Sequence, residues 1–247
     1  MGIIRISGSI CGTDLVVVEP EVKSESGKSK SVWALHGMFR SPEDWVDPGS
    51  RLPEYLKNEP VYLICPMGES GFYVDEPGGR QWETEIMGKA WDYAASRFPV
   101  SDKRGDTAVI GFSMGGYGAM RYGLCYPERF GYVGCFAGGV NVPQRYAGGE
   151  NIMDMLGICF GDADKVVGSG YDLYEKAKEL SVSGRPKPEI FMCVGWRDPH
   201  ENGPNQEYRD YLTGLGFDVA WDEGDYGHNM EFVNAMLPGF LNKFLKK

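Results

Sequence analysis

The feature that most constrains the fold of this chain is a Gly-Phe-Ser-Met-Gly pentapeptide at residues 111–115. It follows a short apolar run at 107–110 and precedes a stretch of helical character that ends near Tyr126. The G-x-S-x-G spacing is typical of a strand that turns sharply into a helix, with the serine at the apex in a strained conformation. Side chains at the two glycine positions would clash where the strand and the helix cross. We therefore predict that Ser113 is held out of a sheet at a helix N-terminus, where a hydroxyl suits nucleophilic attack on an acyl carbon.

A nucleophilic serine needs a base, and the candidates are His36, His200 and His228. In α/β-hydrolase sheets the chain order is serine, then an acid, then histidine, so His36 is excluded as the base. His228 lies near the C-terminus, in a loop between a predicted strand at 218–221 and a terminal helix. We predict that His228 accepts the proton of Ser113.

The acid is predicted from its position after a strand. Asp198 follows a buried apolar strand at 190–194, and parallel sheets collect functional groups at the carboxyl ends of their strands. There it would orient His228 and stabilise the imidazolium form. Asp222 and Asp225 are closer to His228 in sequence and stay as alternative acids.

The negative oxygen of a tetrahedral intermediate needs two donors. One is predicted to be the backbone N–H of Met114, directly after the serine, and the other an N–H from the loop after an early central strand. That strand is predicted at 31–35, and its loop begins His36-Gly37-Met38. We assign the second donor to Met38, with Phe39 as the alternative, and interpret the side chain of His36 as a brace for this loop.

Further motifs accompany these residues in a recognisable order. They are Leu-His-Gly-Met at 35–38, Cys-Pro-Met-Gly at 65–68, Gly-Phe-Tyr at 71–73, Trp-Glu-Thr at 82–84, the segment 111–119 and Gly-His at 227–228. Together they resemble the esterase D-like branch of the α/β-hydrolases, which includes tributyrin or acetyl esterases, S-formylglutathione hydrolases and cinnamoyl (feruloyl) esterases. The resemblance extends from about Thr13 to Phe244. Phe112 and Tyr117 stand where S-formylglutathione hydrolases usually carry histidine, and this departure favours the compact tributyrin esterase-like members.

Strand-like and helix-like segments alternate along the chain, so we expect a mostly parallel sheet flanked by helices. The resemblance implies that residues 1–247 form a single α/β-hydrolase domain. Strands are predicted at 13–18, 31–35, 61–65, 107–110, 132–136, 190–194 and 218–221. Apolar residues at four-residue spacing predict a helix over 81–98. A terminal helix, kinked or restarted at Pro238, is expected to pack on the sheet. The excursion at 138–188, which includes Met153, is interpreted as a small cap-like insertion over the site or as a packing subdomain.

Composition excludes several classes of protein. The net charge of −10 disfavours nucleic acid and anionic membrane surfaces as partners. The six cysteines lack a C-x-x-C pair and are interpreted as free thiols of a reducing compartment, so a cytoplasmic location is expected. No cofactor or metal is expected. A zinc site built from His36, His200, His228 and Asp198 is the metal alternative, but no H-E-x-x-H or comparable ligand pair is present.

The resemblance implies a serine carboxylesterase that hydrolyses short-chain or small aromatic acyl esters through an acyl-serine intermediate, with a small-molecule ester as its partner. Alternatives are an S-formylglutathione hydrolase-like thioesterase, an acyltransferase, or a catalytically inactive binding module on the same fold. Aromatic residues expected near the mouth of the pocket are Trp45, Tyr73, Trp82 and Trp196.

Overall fold

The computed structural model describes residues 1–150 and 154–246, and within these ranges the centre of the molecule is an eight-stranded sheet. The strands are β1 (Gly2–Ile6), β2 (Leu15–Glu19), β3 (Lys30–Leu35), β4 (Val61–Pro66), β5 (Thr107–Phe112), β6 (Tyr132–Phe136), β7 (Glu189–Gly195) and β8 (Val219–Gly224). Their spatial order is β1-β2-β4-β3-β5-β6-β7-β8. Strand β2 is antiparallel to both of its neighbours, and every other pair is parallel. The carboxyl ends of β3, β5, β7 and β8 therefore share one edge of the sheet.

Helices cover both faces of the sheet, as predicted. The α-helices are α1 (Gly8–Cys11), α2 (Leu52–Leu56), α3 (Trp82–Thr84), α4 (Trp91–Arg97), α5 (Met114–Cys125), α6 (Val142–Ala147), α7 (Met155–Phe160), α8 (Ala163–Val166), α9 (Leu173–Val182), α10 (Asn202–Gly214) and α11 (Met230–Leu245). Single 3-10 turns lie at Pro42–Trp45 and Arg104–Asp106. Strand β3 shows why two layers form, because Trp33 and Leu35 enter one apolar core while Val32 and Ala34 enter the other. A strand with apolar side chains on both faces of the sheet needs helices packed on both faces.

The N-terminal strand β1 was not predicted from the sequence. It pairs antiparallel with β2 at the edge of the sheet, and Ile6 is its one buried residue. An edge strand that is exposed along most of its length lacks the apolar run that identifies the central strands.

The predicted helix over 81–98 is present as three consecutive helical segments, with a π-helical stretch at Glu85–Ala90 between α3 and α4. The residues at four-residue spacing that predicted it are all buried: Trp82, Ile86, Ala90, Ala94 and Phe98. On a pure α-helix a strict four-residue repeat drifts by about 40° per turn, because one turn takes 3.6 residues. The wider π turns keep this stripe facing the sheet.

The C-terminal helix α11 packs on β6, β7 and β8, as expected. It is one helix that contains Pro238, rather than two helices separated at the proline. None of the helices within residues 1–150 and 154–246 combines the length and apolar character that a membrane span requires. The segment 138–188 holds α6 to α9. Met153 in this segment lies outside the described residues.

The turn between β5 and α5 has the strained geometry predicted from the G-x-S-x-G pattern. Ser113 has φ 59° and ψ −120°, a conformation that side chains rarely adopt. A Cβ at Gly111 would lie 2.0 Å from the carbonyl oxygen of Gly115, and one at Gly115 would lie 2.0 Å from the carbonyl oxygen of Leu35. Both positions therefore require glycine, because a side chain there would clash with backbone atoms that cannot move aside.

Gly115→Ala is expected to lower the free energy of unfolding by roughly 3 kcal/mol, the upper end of the usual cost of overpacking, because the added methyl group meets the backbone of β3. Urea denaturation followed by circular dichroism measures this loss. The matched control is Gly88→Ala, where a Cβ meets no atom within 4 Å. In a helical segment that substitution is expected to leave stability unchanged or to raise it by up to about 1 kcal/mol. Wild-type stability of Gly115→Ala would contradict the close packing described for this turn.

Candidate active site

Four loops meet at the carboxyl edge of the sheet. The loop after β3 carries Met38, the turn after β5 carries Ser113, the loop after β7 carries Asp198, and the loop after β8 carries His228. Parallel strands bring such loops together however far apart they are in sequence. All four of these residues line one cavity.

The serine turn is fixed by backbone hydrogen bonds to the strand next to it. The N–H of Ser113 donates to the carbonyl of Phe136 at the end of β6, at 3.0 Å, and the N–H of Gly139 donates to the carbonyl of Ser113 at 3.1 Å. These bonds hold the strained conformation in place while the side chain faces the cavity. Helix α5 begins at the next residue, Met114, so its unsatisfied N–H groups lie at the same point.

Asp198 and His228 form the central polar contact of the site. His228 Nδ1–H donates to Asp198 Oδ2 at 2.6 Å, and the backbone N–H groups of His200 and Glu201 donate to Asp198 Oδ1 at 3.2 and 3.1 Å. Burial alone would raise the pKa of Asp198, but the hydrogen bond and charge interaction with His228 and the two backbone donors together hold it below its ordinary value. Asp198 is therefore an ionised carboxylate that is 1% exposed.

The loops after β7 and β8 are joined through their backbones, which positions this pair. The N–H of Trp196 donates to the carbonyl of Gly224 at 2.8 Å, and that of Arg197 donates to the carbonyl of Tyr226 at 3.0 Å. A Cβ at Gly195 would lie 2.1 Å from the carbonyl oxygen of Tyr226. The glycine thus permits the close approach of the two loops that brings His228 onto Asp198.

The two alternative acids lie elsewhere. Asp225 forms an ion pair with Arg197 at 2.8 Å, with its side chain 72% exposed. Asp222 accepts a hydrogen bond from the backbone N–H of Glu223 on exposed β8. Of the three candidate acids, Asp198 is the one that contacts His228.

His36 braces its own loop, as predicted. Its Nδ1 lies 2.8 Å from the carbonyl of Gly37, and the N–H of Gly68 donates to its Nε2 at 3.0 Å. A carbonyl partner at one ring nitrogen and an N–H donor at the other fix the neutral Nδ1–H tautomer. Burial lowers the pKa of His36 to about 4, which the carbonyl of Gly37 offsets only in part.

The loop after β3 favours Met38 over Phe39 as an N–H donor toward the cavity. The N–H of Phe39 already donates to Ser70 Oγ at 3.2 Å. Phe39 also has a positive φ of 60°, so the backbone changes direction at the residue after Met38. Met38 and Met114 both line the cavity that contains Ser113.

The cavity has a volume of about 310 Å³. Its apolar lining residues are Met38, Phe39, Phe72, Met114, Gly139 and Val142, and its polar lining residues are Ser113, Arg145, Asp198, His200, Glu201 and His228. Gly139, Val142 and Arg145 belong to the 138–188 segment, so part of that segment lines the cavity.

The four aromatic residues expected at the mouth do not line this cavity. Trp45, Tyr73 and Trp82 are buried in the protein core, where the Tyr73 hydroxyl donates to the carbonyl of His36 and Trp82 Nε1–H donates to Glu76. Trp196 is 56% exposed and lies outside the cavity lining. Trp45, Tyr73 and Trp82 thus fill the core. The phenylalanines that line the cavity are Phe39 and Phe72.

Arg145 and Glu201 also line the cavity, and the sequence analysis did not predict them as site residues. Arg145 Nη1–H donates to Glu201 Oε1 at 2.8 Å, across 56 residues of chain. Glu201 stands three residues after Asp198, a spacing that a closer inspection of the loop could have noted. No local pattern connects Arg145 to it.

The zinc alternative requires His36, His200 and His228 to lie around one metal ion. His36 lies in the core, and both of its ring nitrogens are in hydrogen bonds, so neither is available to a metal. Over residues 1–150 and 154–246, no group of three or more His, Cys, Asp or Glu side chains is arranged to hold a metal ion. All six cysteines are free thiols, five of them buried and Cys125 partly so.

Comparison with known proteins identifies the family. A family model described as "Putative esterase" matches residues 11–209. The chain belongs to this esterase family. An acetyl esterase from Caldicellulosiruptor saccharolyticus is 29% identical over 220 residues, covering 86% of this chain and 82% of that protein.

Solved structures of a serine hydrolase and of an esterase have the same fold. The substrate-bound serine hydrolase FphF from Staphylococcus aureus has a TM-score of 0.88 at 20% identity, covering 100% of this chain and 98% of its own. A ferulic acid esterase has a TM-score of 0.79 at 19% identity, covering 98% and 96%. The predicted α/β-hydrolase fold and the resemblance to esterase D-like proteins are thus confirmed. As a member of this family, the protein is an enzyme that acts on carboxylic esters.

The low pKa of His36 predicts a pH-dependent loss of stability. The unfolded chain takes up a proton at this imidazole near its ordinary pKa of about 6.5, whereas the folded protein resists protonation until about pH 4. The contribution of neutral His36 is therefore present above pH 6.5 and is lost as the pH falls toward 4. The loss amounts to at most about 3 kcal/mol in the free energy of unfolding.

His36→Gln isolates this effect, because glutamine can still accept the hydrogen bond of Gly68 but does not titrate. Urea denaturation of both proteins at pH 7.5 and pH 4.5 is the measurement. The wild type is expected to lose more stability than the variant over this interval. Equal losses would show that His36 is not held neutral by the fold.

Proposed function

We propose that this esterase hydrolyses carboxylic esters through a covalent acyl-Ser113 intermediate, with His228 as the general base and Asp198 as the acid that orients it. The observation that carries the proposal is the 2.6 Å hydrogen bond between buried Asp198 and His228 Nδ1 in the cavity that contains strained Ser113. Nδ1 is occupied by Asp198, so Nε2 is the nitrogen available to the serine.

The reaction proceeds in two symmetrical halves. His228 Nε2 takes the proton as Ser113 Oγ attacks the ester carbonyl, and then gives it to the departing alkoxide, so that the alcohol leaves and the acyl group stays on the serine. Water enters, His228 takes its proton, and the resulting hydroxide attacks the acyl carbon. Collapse of the second intermediate releases the acid and returns the proton to Ser113. Ionised Asp198 stabilises the imidazolium in both halves.

The N–H groups of Met38 and Met114 are the proposed oxyanion donors. They lie on the two backbone segments that close packing at Gly115 brings together, and the helix dipole of α5 adds favourable charge at Met114. Because the segments are fixed by the fold, the donors need no reorganisation when negative charge develops.

The size of the cavity supports small substrates. About 310 Å³ is at the lower end of ligand pockets, with room for a short acyl chain or one aromatic ring. The acetyl esterase relative and the ferulic acid esterase structure represent these two kinds of acyl group. We propose short-chain or small aromatic acyl esters as the substrate class, and the segment 138–188 as a small cap that shapes the pocket through Gly139, Val142 and Arg145.

Substitution of the proposed triad gives the direct test. Ser113→Ala removes the nucleophile, and Asp198→Asn leaves the imidazole without its charged partner. Each is expected to lower kcat for p-nitrophenyl butyrate on the order of 10⁴-fold. Steady-state kinetics on folded variants is the measurement.

Asp225→Asn is the matched control for the acid, because Asp225 is nearer to His228 in sequence but pairs with Arg197. We expect it to keep kcat within about twofold, as for a surface substitution away from the site. Wild-type-like kcat in Ser113→Ala, or a large loss in Asp225→Asn with none in Asp198→Asn, would reject the assignment.

A series of p-nitrophenyl esters tests the pocket. With the acetate, butyrate and octanoate, kcat/KM is expected to fall at least about tenfold beyond butyrate, because forcing a longer chain into a pocket that cannot hold it costs about 1–3 kcal/mol. Val142→Ala enlarges the cavity and is expected to reduce this fall. If the wild type hydrolysed the octanoate ester as fast as the butyrate ester, the short pocket would be contradicted. Methyl ferulate, measured in the same series, tests whether the pocket accepts an aromatic ring.

A further inference from the structure

The loop after β3 exposes an aromatic ring at the opening of the cavity. Phe39 lines the cavity that contains Ser113, and it is nevertheless 61% exposed. Among the residues that the structure describes, no other aromatic ring packs against the ring of Phe39. Single exposed apolar side chains are common on protein surfaces, so exposure alone assigns no role to this residue.

The backbone at Phe39 is strained as well. The N–H of Arg40 donates to the carbonyl of Gly37 at 3.3 Å and closes a four-residue turn, with Phe39 at the third position and a φ of 60°. A positive φ at that position normally selects glycine or asparagine, and a bulky side chain there is an outlier. Phe72 and Tyr73 also have positive φ, but they are buried in the core with ring contacts that compensate for the strain. Phe39 lacks this compensation, and strain of that kind in a cavity lining points to a role in binding.

The turn that carries Phe39 lies directly beside the nucleophile. A Cβ at Gly37 would lie 3.7 Å from Ser113 Cβ, an ordinary contact distance. Met38, the proposed oxyanion donor, is the second residue of the turn. The N–H of Phe39 donates to Ser70 Oγ at 3.2 Å, which ties the turn to the loop after β4. The backbone therefore holds Phe39 in a fixed place relative to the reacting carbonyl group.

The order of the strands indicates which half of an ester meets Phe39. Strands β3 and β4 lie on one side of β5, which leads to Ser113, and strands β6, β7 and β8 lie on the other. The leaving alcohol receives its proton from His228, which follows β8, so the alcohol half is expected on that side of Ser113. The acyl half then faces the loops after β3 and β4, which contribute the apolar lining residues Met38, Phe39 and Phe72.

We propose that Phe39 is a specificity-determining residue: its exposed ring packs against the acyl group of the ester and favours acyl groups that carry one aromatic ring. This inference rests on the proposed acyl-Ser113 mechanism and narrows the substrate class within it. A ring on the acyl group would cover the exposed face of Phe39, and such aromatic pairs gain energy from offset or edge contacts beyond the area they bury. The strain and exposure of Phe39 are then compensated by a contact that forms when substrate binds.

The selectivity between two methyl esters tests the proposal. The measured quantity is kcat/KM for methyl phenylacetate divided by kcat/KM for methyl acetate, so a change that affects all substrates equally cancels. Phe39→Ala is expected to lower this ratio about tenfold, whereas Phe39→Tyr keeps a ring and is expected to stay within about twofold of the wild type. Ile10→Ala is the matched control, because Ile10 is 65% exposed on α1 and lies outside the cavity lining. Its ratio is expected to equal that of the wild type.

A third ester separates the two halves of the substrate. Benzyl acetate carries its ring on the alcohol, and its kcat/KM relative to methyl acetate is expected to be the same in Phe39→Ala as in the wild type. An unchanged phenylacetate ratio in Phe39→Ala, or an equal fall with benzyl acetate, would overturn the proposal.

Two further measurements separate this role from the fold and from the mechanism. The urea midpoint of Phe39→Ala is expected at the wild-type value, as for other exposed side chains. A markedly lower midpoint would show that the ring stabilises the fold and would also overturn the proposal. Hydrolysis of methyl acetate by Ser113→Ala would refute the acyl-Ser113 mechanism itself, whereas an inactive Ser113→Ala with an unchanged ratio in Phe39→Ala refutes only the role of Phe39.

Discussion

The close approach of α5 to the end of β3 is the contact on which the rest of the site depends. The missing side chain at Gly115 lets the helix N-terminus rest against the carbonyl of Leu35. This contact places the Ser113 turn next to the loop that carries Met38, and so gathers the nucleophile and both proposed oxyanion donors. The strain at Ser113, with φ of 59°, is maintained by the bonds of its N–H and carbonyl to the adjacent loop.

The second contact on which the site depends is the hydrogen bond between Asp198 and His228, which positions the proposed base. Ionised Asp198 is almost completely buried, and such a charge is tolerated only because His228 and two backbone N–H groups satisfy it. The joined loops after β7 and β8 make this arrangement a property of the backbone rather than of a mobile side chain. Glu201 extends the same polar network toward Arg145 and the 138–188 segment. The site is thus one connected set of charges on a rigid edge of the sheet.

The architecture and the placement of Ser113, Asp198 and His228 could be predicted from the sequence, because parallel strands bring their carboxyl ends to one edge whatever separates them in the chain. What could not be predicted depends on tertiary packing. Strand β1 is an exposed edge strand without an apolar run. Of the aromatic residues expected at the mouth, Trp45, Tyr73 and Trp82 are buried in the core and Trp196 is exposed outside the cavity lining. Arg145 meets Glu201 across 56 residues, a contact that no local spacing encodes.

The most direct test of the central claim is the covalent reactivity of Ser113. A fluorophosphonate reacts with a serine that is activated by a neighbouring base and leaves a stable phosphonyl adduct. Peptide mass spectrometry after treatment at neutral pH is predicted to find one adduct, on Ser113, that forms in the wild type and is lost in His228→Ala. An unmodified Ser113 in active protein, or an adduct that forms equally fast without His228, would contradict the account.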